Sequence, residues 1–268
     1  MIVGTAAADG LVVWRLGAAL VVALSVQVAV NYANDYFDAV RGVDTPQRAG
    51  PRRAVAAGLV APQAMWLAVV AALAVAAVAG IALAAAAGWE LLVVGALAFI
   101  AALAYSGGPR PYASAGLGEV FVFVFFGLVA TVGSAYVQVE RIVPVAVIAA
   151  VGIGLLASAI LMVNNLRDIA TDRAAGKHTL AVKLGAGRSR ILYWLLILLA
   201  FAVPGVLASV LASAWPLLAL AAAPAALPLV RRVRPQASSA DLIAALGGTG
   251  RLELIYAILL AAGLVLAR

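Results

Sequence analysis

Residues 11–53 read LVVWRLGAALVVALSVQVAVNYANDYFDAVRGVDTPQRAGPRR. Here an apolar run, 11–34, passes into an acid- and amide-bearing segment and then into a basic loop. About 20 consecutive apolar residues cross the hydrocarbon core of a bilayer as a helix, so 11–34 reads as a membrane span. At about 100° per residue, Gln27, Asn31, Asn34, Asp35 and Asp38 fall within roughly 100° of arc. One helix face therefore carries two carboxylates and three amides to the membrane–water boundary. Ionisable groups at the ends of apolar helices are costly, and a functional reading is the default.

The same pattern returns at 164–172, NNLRDIATD, which follows a second apolar run at 142–165. Asn164, Asp168 and Asp172 are spaced i, i+4, i+8 and again share one face. Further apolar segments lie at 62–87, 89–106, 116–138, 189–212, 214–230 and 252–267, making eight expected spans. The stub at 1–8 is apolar but too short to cross, and reads as the last third of a truncated first helix. The N-terminal MIVGTAAADG lacks the basic region and apolar core of a signal peptide.

The connections alternate in character. Fifteen of the eighteen Lys and Arg residues fall in the loops 35–61, 107–115, 166–188 (with its junction to the next span) and 231–251. The other three are Arg15, Arg141 and Arg268. Cytoplasmic loops carry the excess of Lys and Arg, which places the four basic loops and both acidic stretches in the cytoplasm and the C-terminus outside. The two acidic stretches suggest a single domain built of two pseudo-repeat halves, about 1–138 and 142–268.

Composition agrees. The 268 residues are 66% hydrophobic and 11% charged, with a mean hydropathy of +1.13. Soluble domains carry roughly a quarter charged residues. The net charge of +7 is accounted for by loop bias, so nucleic acid is not an expected partner. The absence of cysteine excludes disulfides, thiolate metal sites and cysteine nucleophiles. The single histidine, His178, excludes a multi-histidine centre and reads as a solvated loop residue.

Two carboxylate faces at one level of a bundle form a hard-oxygen site suited to Mg²⁺, which is usually held by a few carboxylates plus substrate phosphates. Without a cation the like charges would repel. Basic residues follow both clusters: Arg48, Arg52 and Arg53 after the first, Lys177 and Lys183 after the second. A diphosphate leaving group needs both kinds of contact.

At these residues the chain resembles the membrane aromatic prenyltransferases of the UbiA superfamily, in the motifs Asn34-Asp35-Tyr36-Phe37-Asp38 and Asp168-Ile-Ala-Thr-Asp172. It is most similar to the 1,4-dihydroxy-2-naphthoate polyprenyltransferase branch. That likeness is carried by 31–53, by GGPRPYASAGLGEVFVFVFFG at 107–127 and by NNLRDIATDRAAGKHTLAVKLG at 164–185. A third acid common in the superfamily is replaced by Gly42, with Asp44 the nearest substitute. The usual Arg-Pro-x-Thr-Leu segment of helix one is missing.

The resemblance implies an all-α membrane bundle around a central cavity with a cytoplasmic cap. It also implies transfer of a polyprenyl group from a polyprenyl diphosphate to 1,4-dihydroxy-2-naphthoate, yielding demethylmenaquinol, in a bacterial cell membrane. Asp38, Asp168 and Asp172 are the expected catalytic metal ligands, with Asn34, Asp35 and Asn165 assisting. Arg48, Arg53, Arg167 and Lys177 are the diphosphate candidates. Asn31, Tyr105, Tyr112 and Glu119 are candidates for the acceptor or prenyl pocket.

A different acceptor, such as 4-hydroxybenzoate, is the nearest alternative. A secondary transporter fits poorly, because its acids would lie near the bilayer midplane. A CDP-alcohol phosphotransferase fits no better, since its D-x-x-D-G-x-x-A-R run is absent.

Overall fold

The computed structural model describes residues 1–42 and 53–268. The chain is helical, and no strand occurs among the described residues. A short α1 (Ile2–Ala7) precedes the long α2 (Val13–Val40), α3 (Pro62–Ala87) and α4 (Glu90–Ala104). Next come α5 (Gly118–Val122), a π-helical segment (Phe123–Val129) and α6 (Ala130–Val139), which together make one continuous rod. The second half holds α7 (Pro144–Arg167), α8 (Ile169–Ala174), α9 (Leu180–Val210), a 3₁₀ segment (Trp215–Ala226), α10 (Leu227–Arg232) and α11 (Ser239–Leu266). Among the described residues, six helices are long and apolar enough to cross a membrane: α2, α3, the α5–α6 rod, α7, α9 and α11.

Several helices depart from the expected spans. The expected span 252–267 is only the second half of α11, which starts at Ser239. Ser238 and Asp241 form a capping box there, a signal present in the sequence. Likewise α9 begins at Leu180, capped by Thr179, although Gly185 breaks its first turns at φ 75°. The expected span 214–230 is largely 3₁₀ rather than α. Pro216, Pro224 and Pro228 withhold backbone donors there. With a rise of about 2.0 Å per residue in 3₁₀ and 1.5 Å in α, the segment with α10 extends about 33 Å, still enough to cross a bilayer.

Within a bilayer, helices associate through close packing and hydrogen bonds rather than through burial from water. The largest core cluster joins α1, α6, α7, α9, the 3₁₀ segment, α10 and α11. α7 is its axis: 61% of its most apolar window is buried, against 11% for α2. Small residues permit the tightest crossings. A Cβ on Gly127 would stand 2.4 Å from the Gly154 Cα, and one on Gly263 would stand 2.4 Å from the Trp215 carbonyl oxygen. α2 packs mainly on α3 and also touches α4 and α6.

The sorting of basic residues is reproduced in space. Arg15, Arg141 and Arg268, the three outside the basic loops, all bond near one end of the bundle. Arg141 pairs with Asp9 at 2.7 Å, and Arg268 donates to the carbonyls of Ala6 and Ala8. Arg15 donates to Val137 O at 2.9 Å, Glu140 Oε1 at 2.8 Å and Ala86 O at 2.8 Å. Those two carbonyls end α6 and α3, where intrahelical donors run out. Gln138 Oε1 accepts from the Val12 N–H at 2.6 Å, so α2 is tied to both helices. Arg15→Met should lower stability by about 2–3 kcal/mol, because it orphans the two helix-end carbonyls. Thermal unfolding in detergent reads this, and an unchanged midpoint would show the clamp to be idle.

Candidate active site

α2 and α7 end at the opposite pole from Arg15, and the acidic stretches at their ends meet there. Between them lies a cavity of about 380 Å³ lined by Asn34, Asp38, Arg41 and Arg53 from the first stretch. Asn164, Asn165, Asp168, Asp172, Lys177 and Thr179 line it from the second, and Tyr105, Ser106 and Ser114 from the loop between α4 and α5. Three of the four basic loops thus converge on one chamber.

Asp38 and Asp168 are buried and paired. Asp38 Oδ1 accepts from Lys177 Nζ at 2.8 Å, a bond between residues 139 apart in the chain that crosses the cavity. Arg167 grips Asp168 with two bonds, Nε to Oδ1 at 2.7 Å and Nη2 to Oδ2 at 2.5 Å, and also donates to Asn164 Oδ1 at 3.0 Å. Asp172 holds no such partner. Burial pushes its carboxyl up to about 6, the charges of Asp168 and Asp38 add to the rise, and Lys177 and Thr179 oppose it.

Convergence of three carboxylates in a partly dry site is the situation a bound cation relieves. Among the described residues no three acidic or histidine side chains lie close enough together to hold a metal ion by themselves. A few carboxylates facing a phosphate-sized space are nevertheless what Mg²⁺ requires, since it keeps waters and takes substrate oxygens. The donor set therefore fits Mg²⁺ held jointly with a diphosphate.

Several expected residues stand elsewhere. Asn31 does not line the cavity. It lies seven residues before Asp38, about 10.5 Å down the helix axis, and its exposed amide donates to Gln27 O of its own helix at 2.9 Å. Arg167 also stands outside the lining, behind Asp168 and Asn164, because its guanidinium is occupied by both. Asp35 faces away and holds the backbone N–H groups of Ala54 and Val55. Arg48, with Asp44 and Arg52, lies outside the described residues. His178 is exposed, and its backbone N–H donates to Ser114 O at 3.1 Å.

Glu119 and Tyr112 stand behind the residues that line the cavity. Glu119 is buried, and its Oε1 accepts from Asn165 Nδ2 at 2.9 Å. That bond turns the amide oxygen of Asn165 away from α5. Tyr112 lies behind Tyr105, edge-on at 5.4 Å, and stacks on Phe121 at 3.9 Å. Burial raises the Tyr112 phenol above its ordinary range.

Sequence reading missed Arg41 and Ser106. Arg41 sits one turn beyond Asp38 and donates to the carbonyls of Ser106, at 2.7 Å, and Gly108. Ser106 Oγ donates to Asn34 Oδ1 at 2.6 Å. Arg41 was visible only as one more loop cation, because its partners lie 65 and 67 residues away. Lys183 likewise serves the α4–α5 loop, donating to Ala115 O at 2.6 Å.

Two mycobacterial proteins resemble this chain over most of its length. The 1,4-dihydroxy-2-naphthoate octaprenyltransferase of Mycobacterium leprae is 43% identical over 256 residues, covering 95% of this chain and 85% of that protein. Its counterpart in Mycobacterium tuberculosis is 42% identical over 269 residues, covering 98% of this chain and 90% of that protein. In three dimensions, a UbiA homolog from Archaeoglobus fulgidus, solved bound to DMAPP and Mg²⁺, superposes with a TM-score of 0.65. The match covers 98% of this chain and 92% of that one at 16% identity, a likeness of fold. The UbiA prenyltransferase family matches residues 1–246, a range that contains every residue lining the cavity. The chain is a multi-pass membrane protein and belongs to the UbiA prenyltransferase family.

Proposed function

We propose that this protein transfers a polyprenyl group from a polyprenyl diphosphate to 1,4-dihydroxy-2-naphthoate, releasing diphosphate and CO₂ and giving demethylmenaquinol. One observation carries the reading. Asp38 meets Lys177 across a cavity whose far wall holds Asp168 and Asp172. This arrangement occurs in a chain 42–43% identical to proteins named for that reaction.

Asp38, Asp168 and Asp172, with Asn34 and Asn165, would hold Mg²⁺. When bound, the ion neutralises the diphosphate and eases its departure. Arg53 and Lys177 line the same space and hold the phosphate oxygens as negative charge grows on them. The allylic C–O bond breaks, and its electron pair leaves with the diphosphate. Tyr105 lines the cavity, backed by Tyr112 and Phe121, and an aromatic wall there would favour a cation and exclude water. The naphthoate carbon bearing the carboxylate forms the new C–C bond. Loss of CO₂ then returns an electron pair to the ring and restores aromaticity.

We read the segments 1–138 and 142–268 as two halves that each contribute one acidic helix end. The excess of Lys and Arg on the cavity side supports a site facing the cytoplasm of a bacterial cell. Membranes containing the protein, supplied with dihydroxynaphthoate, a polyprenyl diphosphate and Mg²⁺, should release CO₂ and form a prenylated quinol. Chelation of the metal should stop both. Turnover with 4-hydroxybenzoate and none with the naphthoate would replace this acceptor.

A further inference from the structure

Asp35 differs from the other acids of the site. It is only 7% exposed, yet it is not among the residues that line the cavity. Both of its oxygens are engaged by one piece of backbone. Oδ2 accepts from the Ala54 N–H at 2.9 Å, and Oδ1 accepts from the Val55 N–H at 3.2 Å. That backbone is a tight turn. The Ala57 N–H donates to Arg53 O at 2.9 Å, and the Leu59 N–H donates to Ala54 O at 2.9 Å. Ala54 and Val55 therefore open a helical turn, where N–H groups have no partner within the turn itself. A carboxylate is the favoured acceptor at that end, both as hydrogen-bond cap and as negative charge. Here it is delivered from α2, 19 and 20 residues earlier.

The residue immediately before this turn is Arg53, which lines the cavity. Asp35 and Asp38 lie three residues apart on one helix, so α2 presents Asp38 to the chamber and, one turn away, grips the loop that brings in a cation. Moving Asp35 into the cavity would leave two backbone donors without their acceptor.

We infer that Asp35 is a positioning residue for Arg53: its carboxylate caps the turn at Ala54 and Val55, placing the guanidinium against the diphosphate, and it does not ligate the metal. The inference rests on the reading of this cavity as a diphosphate site.

Two substitutions test it from opposite sides. Asp35→Asn removes the charge and one acceptor. Ala54→Pro removes one donor and leaves Asp35 intact, and proline suits the first position of a helical turn. Each should raise KM for the polyprenyl diphosphate about tenfold, the effect of losing one charge-assisted hydrogen bond, with kcat changed less than about twofold. The Mg²⁺ concentration for half-maximal activity should stay at the wild-type value, whereas Asp38→Asn should raise it. In an Arg53→Gln background, either substitution should add less than about twofold.

Without any substrate, amide hydrogen exchange across 53–60 should quicken about tenfold in Asp35→Asn, because one protected N–H loses its acceptor and the other keeps only an uncharged one. Unchanged exchange overturns the anchor. A Mg²⁺ requirement that rises in Asp35→Asn as it does in Asp38→Asn makes Asp35 a ligand and overturns the inference. So does full additivity with Arg53→Gln. Should Asp35→Asn fail to fold, Ala54→Pro carries the same test, and wild-type kinetics there would overturn the proposal. If the wild-type protein turns over no prenyl diphosphate, the proposed function fails, while the exchange measurement still decides the anchor.

Discussion

Asp38→Ala and Asp168→Ala should each lower turnover by about a thousandfold, equivalent to about 4 kcal/mol of transition-state stabilisation, while the protein still reaches the membrane. The two acids face one chamber from different helices, so neither can replace the other. Each removal also frees a cation. Lys177 loses Asp38 and, with its side chain 23% exposed, can rehydrate. Arg167 loses Asp168 with its side chain 5% exposed and keeps only Asn164.

A buried charge stripped of its partner costs about 3–5 kcal/mol. The two variants should therefore lose activity alike but differ in melting temperature, with Asp168→Ala the lower. Rates of CO₂ release and thermal midpoints on the same detergent-purified samples separate the effects. Wild-type turnover in either variant would remove the acidic cavity from the chemistry.

Gly127→Val should prevent stable folding. Gly127 lies in the π-helical segment where it crosses α7, and a Cβ there would stand 2.4 Å from the Gly154 Cα and 3.1 Å from the Ala150 carbonyl oxygen. Both obstacles are backbone, so no rotamer change relieves the clash. Overpacking typically costs about 1–3 kcal/mol, and a valine against two backbones belongs at or above the top of that range. The damage would also reach the site, because α7 leads directly into Asn164, Asn165 and Asp168. Gly133, six residues on, has nothing within 4 Å of its Cβ position, so Gly133→Ala serves as the matched control and should be neutral or slightly stabilising. Size-exclusion profiles would settle the matter. A monodisperse Gly127→Val protein melting with wild type would mean that the crossing is looser than it is drawn.

Much of this molecule was open to a reader of the sequence. Asn34, Asp38, Asn165, Asp168 and Asp172 line the chamber, because helical periodicity and distance from the end of an apolar run set both the face and the depth of a side chain, whereas Arg53 and Lys177, which also line it, were marked only by their place in basic loops beside the acids. Residues whose roles depend on remote partners were not open in this way. Asp35 shares its helix face with Asp38, yet the backbone at Ala54 and Val55 claims its carboxylate. Arg167 sits between two cavity residues and still turns back onto both. Arg41 read as loop charge and proves to be a brace for the α4–α5 loop.

The start of α11 was a missed local signal, since Ser238 and Asp241 spell out a cap. The 3₁₀ segment was not, because apolar composition measures the length of a crossing and says little about the pitch of the helix that makes it.

The sequence by itself determined that the chain crosses a membrane, which end of the bundle gathers the basic loops, and that both acidic helix ends lie at that same end. Apolar length, charge bias and the 3.6-residue period are properties of neighbouring residues. Only the tertiary structure decided which acids face the chamber and which hold the frame. A hydrogen bond depends on groups lying within about 3 Å, and helix packing brings together groups more than a hundred residues apart in the chain, such as Lys177 and Asp38.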